Sequence, residues 1–149
     1  MIYLKTFVCF FTLIFMNNLY SQDLSMHKWK NRLLIIATND PENSLFKEQL
    51  RELKKYPEGL NERKLLIYQV NDMKYREGLE EEGEWENIEK KEIINFQQDL
   101  NSNFEIILIG LDGGVKLQQF KVLLTDELFL MIDAMPMRIQ EMDNLNREK

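Results

Sequence analysis

Thiol and imidazole chemistry have almost no material in this sequence: its 149 residues include one cysteine, Cys9, and one histidine, His27. A single cysteine closes no intrachain disulfide and builds no Cys-rich zinc site, and a lone histidine has no second imidazole with which to share a metal. Proline is scarce at three residues and glycine at six, which excludes collagen-like and linker-like chains. No run of five Lys or Arg occurs. The electrostatic footprint of a nucleic-acid binder is therefore missing, and no nucleic acid partner is expected. What is present is acidic and globular in balance: 25 Asp and Glu against 19 Lys and Arg, net charge −6, with 44% hydrophobic and 30% charged residues. That composition suits one soluble domain rather than a disordered chain or a multi-span membrane protein.

Residues 1–21 have the layout of a secretory signal: Lys5, an apolar run from Phe7 to Met16 broken only by Thr12, then Asn17, Asn18 and Leu19-Tyr20-Ser21. The run is half of the roughly twenty residues a helix needs to cross a bilayer. Export to a periplasm or the medium is expected, with cleavage after Ser21 or Gln22 and no stable membrane insertion afterwards. Cys9 lies inside the apolar run with too few apolar residues before it for lipoprotein processing. Removal of the signal takes away Lys5 and Cys9, leaving a cysteine-free chain of net charge −7 over residues 22–149.

Three short apolar runs, Arg32–Ala37, Lys64–Val70 and Phe104–Ile109, read as central strands covered on both faces. Between the first two, Asp40-Pro41 supplies an N-cap followed by a first-turn proline. Leu45, Phe46, Leu50 and Leu53 then recur at helical spacing, Lys54 and Lys55 suit a helix C-terminus, and Pro57 stops the helix. A strand, helix, strand unit of this kind builds a parallel pair.

Asp72 to Glu92 holds nine acidic residues against four basic ones, too much charge for a core. An exposed acidic loop is expected near 77–86, with Gly78 and Gly83, followed by a helix from Trp85 that buries Ile88, Ile93, Phe96 and Leu100. The alternating Asp/Asn spacing of a calcium loop is absent, so a solvated charge run is the reading and no metal is expected. Asp112-Gly113, then Gly114 and Val115-Lys-Leu117, reads as a tight hairpin with two positive-φ central positions. The last element runs from Asp126 with Leu128, Met131, Ile132, Met135, Ile139 and Met142 on its apolar face and Asp126, Asp133, Gln140 and Asn144 on the other. Met137 falls nearer the polar face. Pro136 lies inside this element and must kink or restart the helix, because it offers no N–H to the Ile132 carbonyl.

The resulting order is strand, helix, strand, helix, strand, strand, helix. Three stretches are more specific: Trp29-Lys-Asn-Arg32, Ile109-Gly-Leu-Asp-Gly-Gly-Val-Lys116, and Ile132-Asp-Ala-Met-Pro-Met-Arg138 with Glu141-Met142. In these the chain resembles, from about Leu24 to Met142, the peroxiredoxin-related DUDES domain family. That family is similar to bacterial exported domains of unknown function and to domains of extracellular sushi-repeat proteins. The resemblance implies an α/β fold: a thioredoxin-like three-layer sandwich with a central mixed sheet of about four strands and helices on both faces.

The departures from that pattern restrict function. Where redox-active relatives carry a reactive cysteine after the first strand, this chain has Thr38, Asn39 and Asp40, and where thioredoxins place a proline before the third strand it has Ser102-Asn103. Thiol oxidoreductase and peroxidase activity are excluded for a mature chain without cysteine. The expected role is a non-catalytic binding or adaptor module with an unknown protein partner and no cofactor. The alternative is a non-redox enzyme or small-anion binder using Asp112, Lys116, Asp133 and Arg138. Arg32, Arg63, Lys116 and Arg138 flank strand or helix ends where a thioredoxin-like sheet gathers cations around an anion. Against that stands a structural contact of Arg138 with Asp133 around the Pro136 break. Gly113-Gly114 amides beside Asp112 offer donors to an anion, although Asp-Gly-Gly is first a turn signal. His27, alone near the mature terminus, is expected to be a solvent-exposed bystander.

Overall fold

A computed structural model describes residues 25–72, 74–88 and 103–147. The elements in chain order are β1 (Arg32–Thr38), α1 (Ser44–Leu53), α2 (Pro57–Glu62), β2 (Leu65–Asn71), β3 (Lys74–Glu77), β4 (Glu86–Asn87), β5 (Phe104–Ile109), β6 (Val115–Gln119), α3 (Thr125–Asp133) and α4 (Pro136–Arg147). The strands form one mixed sheet in the order β4-β3-β2-β1-β5-β6. β1 and β2 are parallel, Arg32 opposite Leu65 and Thr38 opposite Asn71, as a strand, helix, strand unit requires. The neighbours β5, β3, β4 and β6 all join antiparallel.

The sheet has six strands where about four are expected from sequence. The added pair, β3 and β4, comes from the charged stretch after Asp72. Both are short and lie at one sheet edge, where side chains stay in water and the strand shows no apolar alternation to read.

β1 is central and its seven residues are all buried. Leu34 and Ile36 pack with Phe46, Leu50 and Leu53 of α1, Leu60 of α2, and Leu128 and Ile132 of α3. Leu33, Ile35 and Ala37 point to the opposite face with Tyr68, Val70, Ile88, Ile107 and Ile109. Each large side chain so buried contributes about 1.5–3 kcal/mol. The helix expected from Trp85 does not start there, because Glu86–Asn87 pairs with β3. Its remaining positions, Ile93, Phe96 and Leu100, lie outside the described residues, as do residues 1–21 of the expected signal, with Cys9. No helix among the described residues is long and apolar enough to cross a membrane.

Local signals are displaced by a few residues. Asn43, not Asp40, caps α1: its Oδ1 accepts from the N–H groups of Leu45 at 2.9 Å and Phe46 at 3.3 Å. Asp40 Oδ1 instead accepts from Glu42 N at 2.9 Å, a turn that sets up the cap. Leu45 is consequently exposed, and the buried face of α1 is Phe46, Gln49, Leu50 and Leu53. Pro57 opens α2 as well as following α1.

The β5–β6 hairpin uses a three-residue loop rather than a two-residue one. Gly110 N donates to Gly114 O and Gly113 N to Gly110 O, both at 2.9 Å. Only Gly113 needs positive φ, at 78°, and the accompanying register shift falls at Leu108/Ile109. At Pro136 the helix restarts: α3 ends at Asp133, and Met135 N donates to the Ile132 carbonyl at 2.9 Å, supplying the partner that proline cannot. The restart changes the phase of α4, so Ile139 is exposed while Met131 and Met135 pack against the core. Met137 and Met142 are half-buried.

Candidate functional site

The C-terminal end of β1, where redox relatives place their thiol, is closed by its own hydrogen bonds. Thr38 is buried, and its hydroxyl has the carbonyls of Asp40 and Asn103, both at 2.9 Å, as acceptors for its one proton, while it accepts from Asp40 N at 3.1 Å. Asn39 Nδ2 donates to Asn103 Oδ1 at 2.9 Å. The first α1 amides, which elsewhere serve a thiolate or an anion, are taken by Asn43.

The charged candidates gather at the opposite end of β1, about 20 Å away along the strand. α2 and α3 both end on acids, Glu62 and Asp133, the wrong sign for a helix C-terminus, and arginines compensate both. Arg138 is almost completely buried. Its Nε donates to Asp133 Oδ1 at 3.2 Å, Nη2 to Glu62 Oε1 at 2.5 Å, and Nη1 to the Glu62 carbonyl at 3.2 Å and to Glu141 Oε2 at 3.5 Å. Arg63 Nη2 donates to Asp133 Oδ2 at 2.5 Å and Nη1 to the Gly59 carbonyl at 3.1 Å. The Arg63 guanidinium lies 4.0 Å from the centroid of the Phe129 ring, a cation–π stack. Arg32 is wholly buried, and its Nη1 donates to the Arg63 carbonyl at 2.8 Å and to Glu141 Oε2 at 3.2 Å. Lys64 Nζ stands 3.6 Å from Glu141 Oε1. Four cations thus meet three carboxylates.

Burial opposes ionisation of Asp133, but the hydrogen bonds from Arg63 and Arg138 outweigh it and hold its carboxyl below the usual range. For Arg138, burial disfavours the charge and the bonds to Asp133 and Glu62 more than restore it, so its pKa is raised.

Of the six candidate residues, Arg32, Arg63, Asp133 and Arg138 converge. Asp112 and Lys116 do not join them. Lys116 Nζ donates to Asp112 Oδ2 at 2.6 Å, and Asp112 Oδ1 accepts from Gly114 N at 3.0 Å, a local arrangement on the exposed hairpin. The bond from Lys116, then that from Gly114, lowers the Asp112 pKa. A solvent-exposed pair of this kind is worth about 0–1 kcal/mol.

Glu62, Lys64 and Glu141 belong to the cluster and were not candidates. Glu141 alone carried a signal, through its place beside the Pro136 stretch; the other two are ordinary charged residues at a helix end. His27 is half-buried rather than solvent-exposed: its Nε2 lies 3.0 Å from Tyr68 Oη, with the rings edge-on at 5.9 Å. A long-range tyrosine partner leaves no trace in local sequence. Among the described residues, no three His, Cys, Asp or Glu side chains are grouped to hold a metal.

The acidic segment forms a second candidate surface. Glu77, Glu80, Glu81, Glu82, Glu84 and Glu86 are exposed. Their backbone is held from behind: buried Gln69 donates from Nε2 to the carbonyls of Gly78 at 2.9 Å and Glu80 at 3.0 Å, and Arg76 Nη1 donates to the Glu81 carbonyl at 2.7 Å. Arg76 also stacks over Trp85, 4.3 Å from the ring centroid. Burial pulls the Arg76 pKa down.

A family model described as a domain of unknown function (DUF4174) matches residues 23–141. No curated protein matches the chain. Among solved structures, a reduced 2-Cys peroxiredoxin from Plasmodium vivax is similar, with a TM-score of 0.54 at 14% identity, over 81% of this chain and 84% of that one. At that identity the likeness shows a peroxiredoxin-like, thioredoxin-type fold and nothing about activity.

Proposed function

The chain belongs to the DUF4174 family of domains of unknown function, and from that premise we propose that it is an exported binding or adaptor module on a thioredoxin-like scaffold, working without thiol chemistry. The observation that carries this reading is the acidic loop between β3 and β4, whose carboxylates face solvent while Gln69 and Arg76 hold its backbone. A loop already ordered loses little conformational entropy on binding, and one so charged fits a protein partner with a basic surface. The likeness to domains of extracellular sushi-repeat proteins, read from the sequence motifs, supports a protein ligand, and the signal-like segment over residues 1–21 supports a periplasmic or secreted location. A non-redox enzyme built on Asp112, Lys116, Asp133 and Arg138 is less well supported, because these residues fall into two separate groups.

The test is to express the tagged chain with its own N-terminal segment, crosslink it in intact cells, and identify both its mature N-terminus and its captured partners. A recurring stoichiometric partner is expected, with capture that weakens as salt rises and when Glu80, Glu81, Glu82 and Glu84 are replaced by Ser. Capture by this variant equal to wild type at low salt overturns the loop as the docking surface. Retention of the first 21 residues overturns export.

A further inference from the structure

We propose that one edge of the Arg32 guanidinium is the receptor for a small oxyanion that presents two oxygens, a carboxylate or a phosphate. Arg32 is wholly buried, and its Nη1 is used by the Arg63 carbonyl and Glu141, yet Nε and Nη2 have no hydrogen-bond partner among the described residues. These two nitrogens form the side-on edge of a guanidinium, with two roughly parallel N–H bonds. That edge matches the spacing of two oxygens on one carboxylate or phosphate. Leaving charged donors buried and unpaired is costly, so such an edge normally has an acceptor.

The surroundings have the matching charge. Among the described residues, Arg32, Arg63, Lys64 and Arg138 are paired with only Glu62, Asp133 and Glu141, which leaves one positive charge in excess. A monoanion on the free edge balances the cluster. Arg63 Nε is likewise buried without a partner among the described residues. The carboxylates already present are committed, Asp133 to Arg63 and Arg138 and Glu141 to Arg32, Lys64 and Arg138. α4 carries Arg138 and Glu141, and Arg138 is its one buried residue among those described. This site is independent of the acidic loop, and either stands if the other falls.

The experiment uses protein labelled with 15N-arginine and titrates sodium phosphate and sodium formate in separate series, with ionic strength held constant by sodium chloride. One Nε–H resonance is expected to move saturably, with Tm rising by a few degrees in the same series. Response to phosphate alone identifies a phosphate-bearing ligand, and response to formate alone identifies a carboxylate; either supports the site. Arg32→Lys keeps a charge but cannot grip two oxygens, and it should abolish both responses. If Arg32→Lys fails to fold, Lys substitutions at Arg51, Arg63, Arg76, Arg138 and Arg147, one at a time, assign the moving resonance by elimination, since it must persist in all five. Static Nε–H resonances with a Tm that follows ionic strength alone overturn the proposal and leave water on that edge. Saturable binding that survives in folded Arg32→Lys also overturns it.

Discussion

Asp133 and Arg138 face each other across the break between α3 and α4, with Arg138 Nε donating to Asp133 Oδ1 at 3.2 Å while Arg63 occupies Oδ2. Three elements are joined at one carboxylate: the end of α2, the end of α3 and the first turn of α4. Charge balance ranks the consequences of mutation. Asp133→Asn leaves four cations over two carboxylates, whereas Arg138→Met leaves three over three and fills the buried volume with apolar atoms. Asp133 is 30% exposed, so its loss should cost about 1–3 kcal/mol rather than the full cost of a buried ion. Arg138→Met should cost less than Asp133→Asn in urea unfolding. The reverse order would show that Arg138 acts through something other than this carboxylate.

The same pair sets an acid limit. The folded-state pKa of Asp133 is depressed, so the folded protein binds this proton less readily than the unfolded chain does. Its stabilisation is therefore fully present above the unfolded-state value, about 4 for an aspartate, and is lost as pH falls through the lower folded-state value. Tm of the wild type should fall faster than that of Asp133→Asn below about pH 4, and the gap between the two should close. A gap that stays constant down to pH 3 removes ionisation of Asp133 as its cause.

Gly59 in α2 makes a prediction opposite to helix propensity, which favours alanine by about 1 kcal/mol. A Cβ at this position would lie 2.5 Å from Phe129 Cε2 and 2.6 Å from Cζ. The ring cannot retreat freely, because Arg63 stacks on it and Tyr56 meets it edge-on with centroids 6.3 Å apart. Gly59→Ala should destabilise by about 1–3 kcal/mol through overpacking. Combining it with Phe129→Leu should recover part of that loss, since the colliding atoms are then gone. A stabilised Gly59→Ala would mean that the Arg63 stack does not hold the ring.

How much of this was legible follows from what local sequence encodes. Leu33–Ile36, Ile67–Val70 and Ile106–Ile109 announce central strands because both of their faces are mostly apolar. Pro136 announces a kink or a restart, because its missing N–H leaves the Ile132 carbonyl in need of another donor. Lys74–Glu77 and Glu86–Asn87 gave no strand signal, since an edge strand needs only a neighbour with free backbone groups. The convergence of Arg32, Arg63, Asp133 and Arg138 is foreshadowed by their positions at element ends. Their separation from Asp112 and Lys116, and the inclusion of Glu62, Lys64 and Glu141, depend on three-dimensional placement that no spacing rule contains. The partial burial of His27 is hidden for the same reason, its partner Tyr68 being 41 residues away.

Gln49 is the clearest residue that helical periodicity alone cannot place. It sits on the apolar face of α1 between Phe46 and Leu50, fully buried, where the pattern calls for an aliphatic side chain. Its amide instead binds Leu123 reciprocally: Oε1 accepts from Leu123 N at 2.7 Å and Nε2 donates to the Leu123 carbonyl at 3.0 Å. Leu123 is buried in the chain leading from β6 into α3, which has no ladder to satisfy those backbone groups, so a side chain must substitute. Thr125 adds a second tie, its hydroxyl donating to the Glu52 carbonyl at 3.2 Å. Gln49→Leu matches the apolar pattern and leaves both Leu123 groups orphaned, at a cost of about 2–4 kcal/mol in urea unfolding. The m-value should be unchanged. The decisive reading is hydrogen exchange at the Leu123 amide, which should lose its protection in Gln49→Leu while β1 and β5 amides keep theirs relative to the new global stability. Equal stability with retained Leu123 protection would show that the segment finds another partner, and that the glutamine is a tolerated polar residue rather than the tie between α1 and α3.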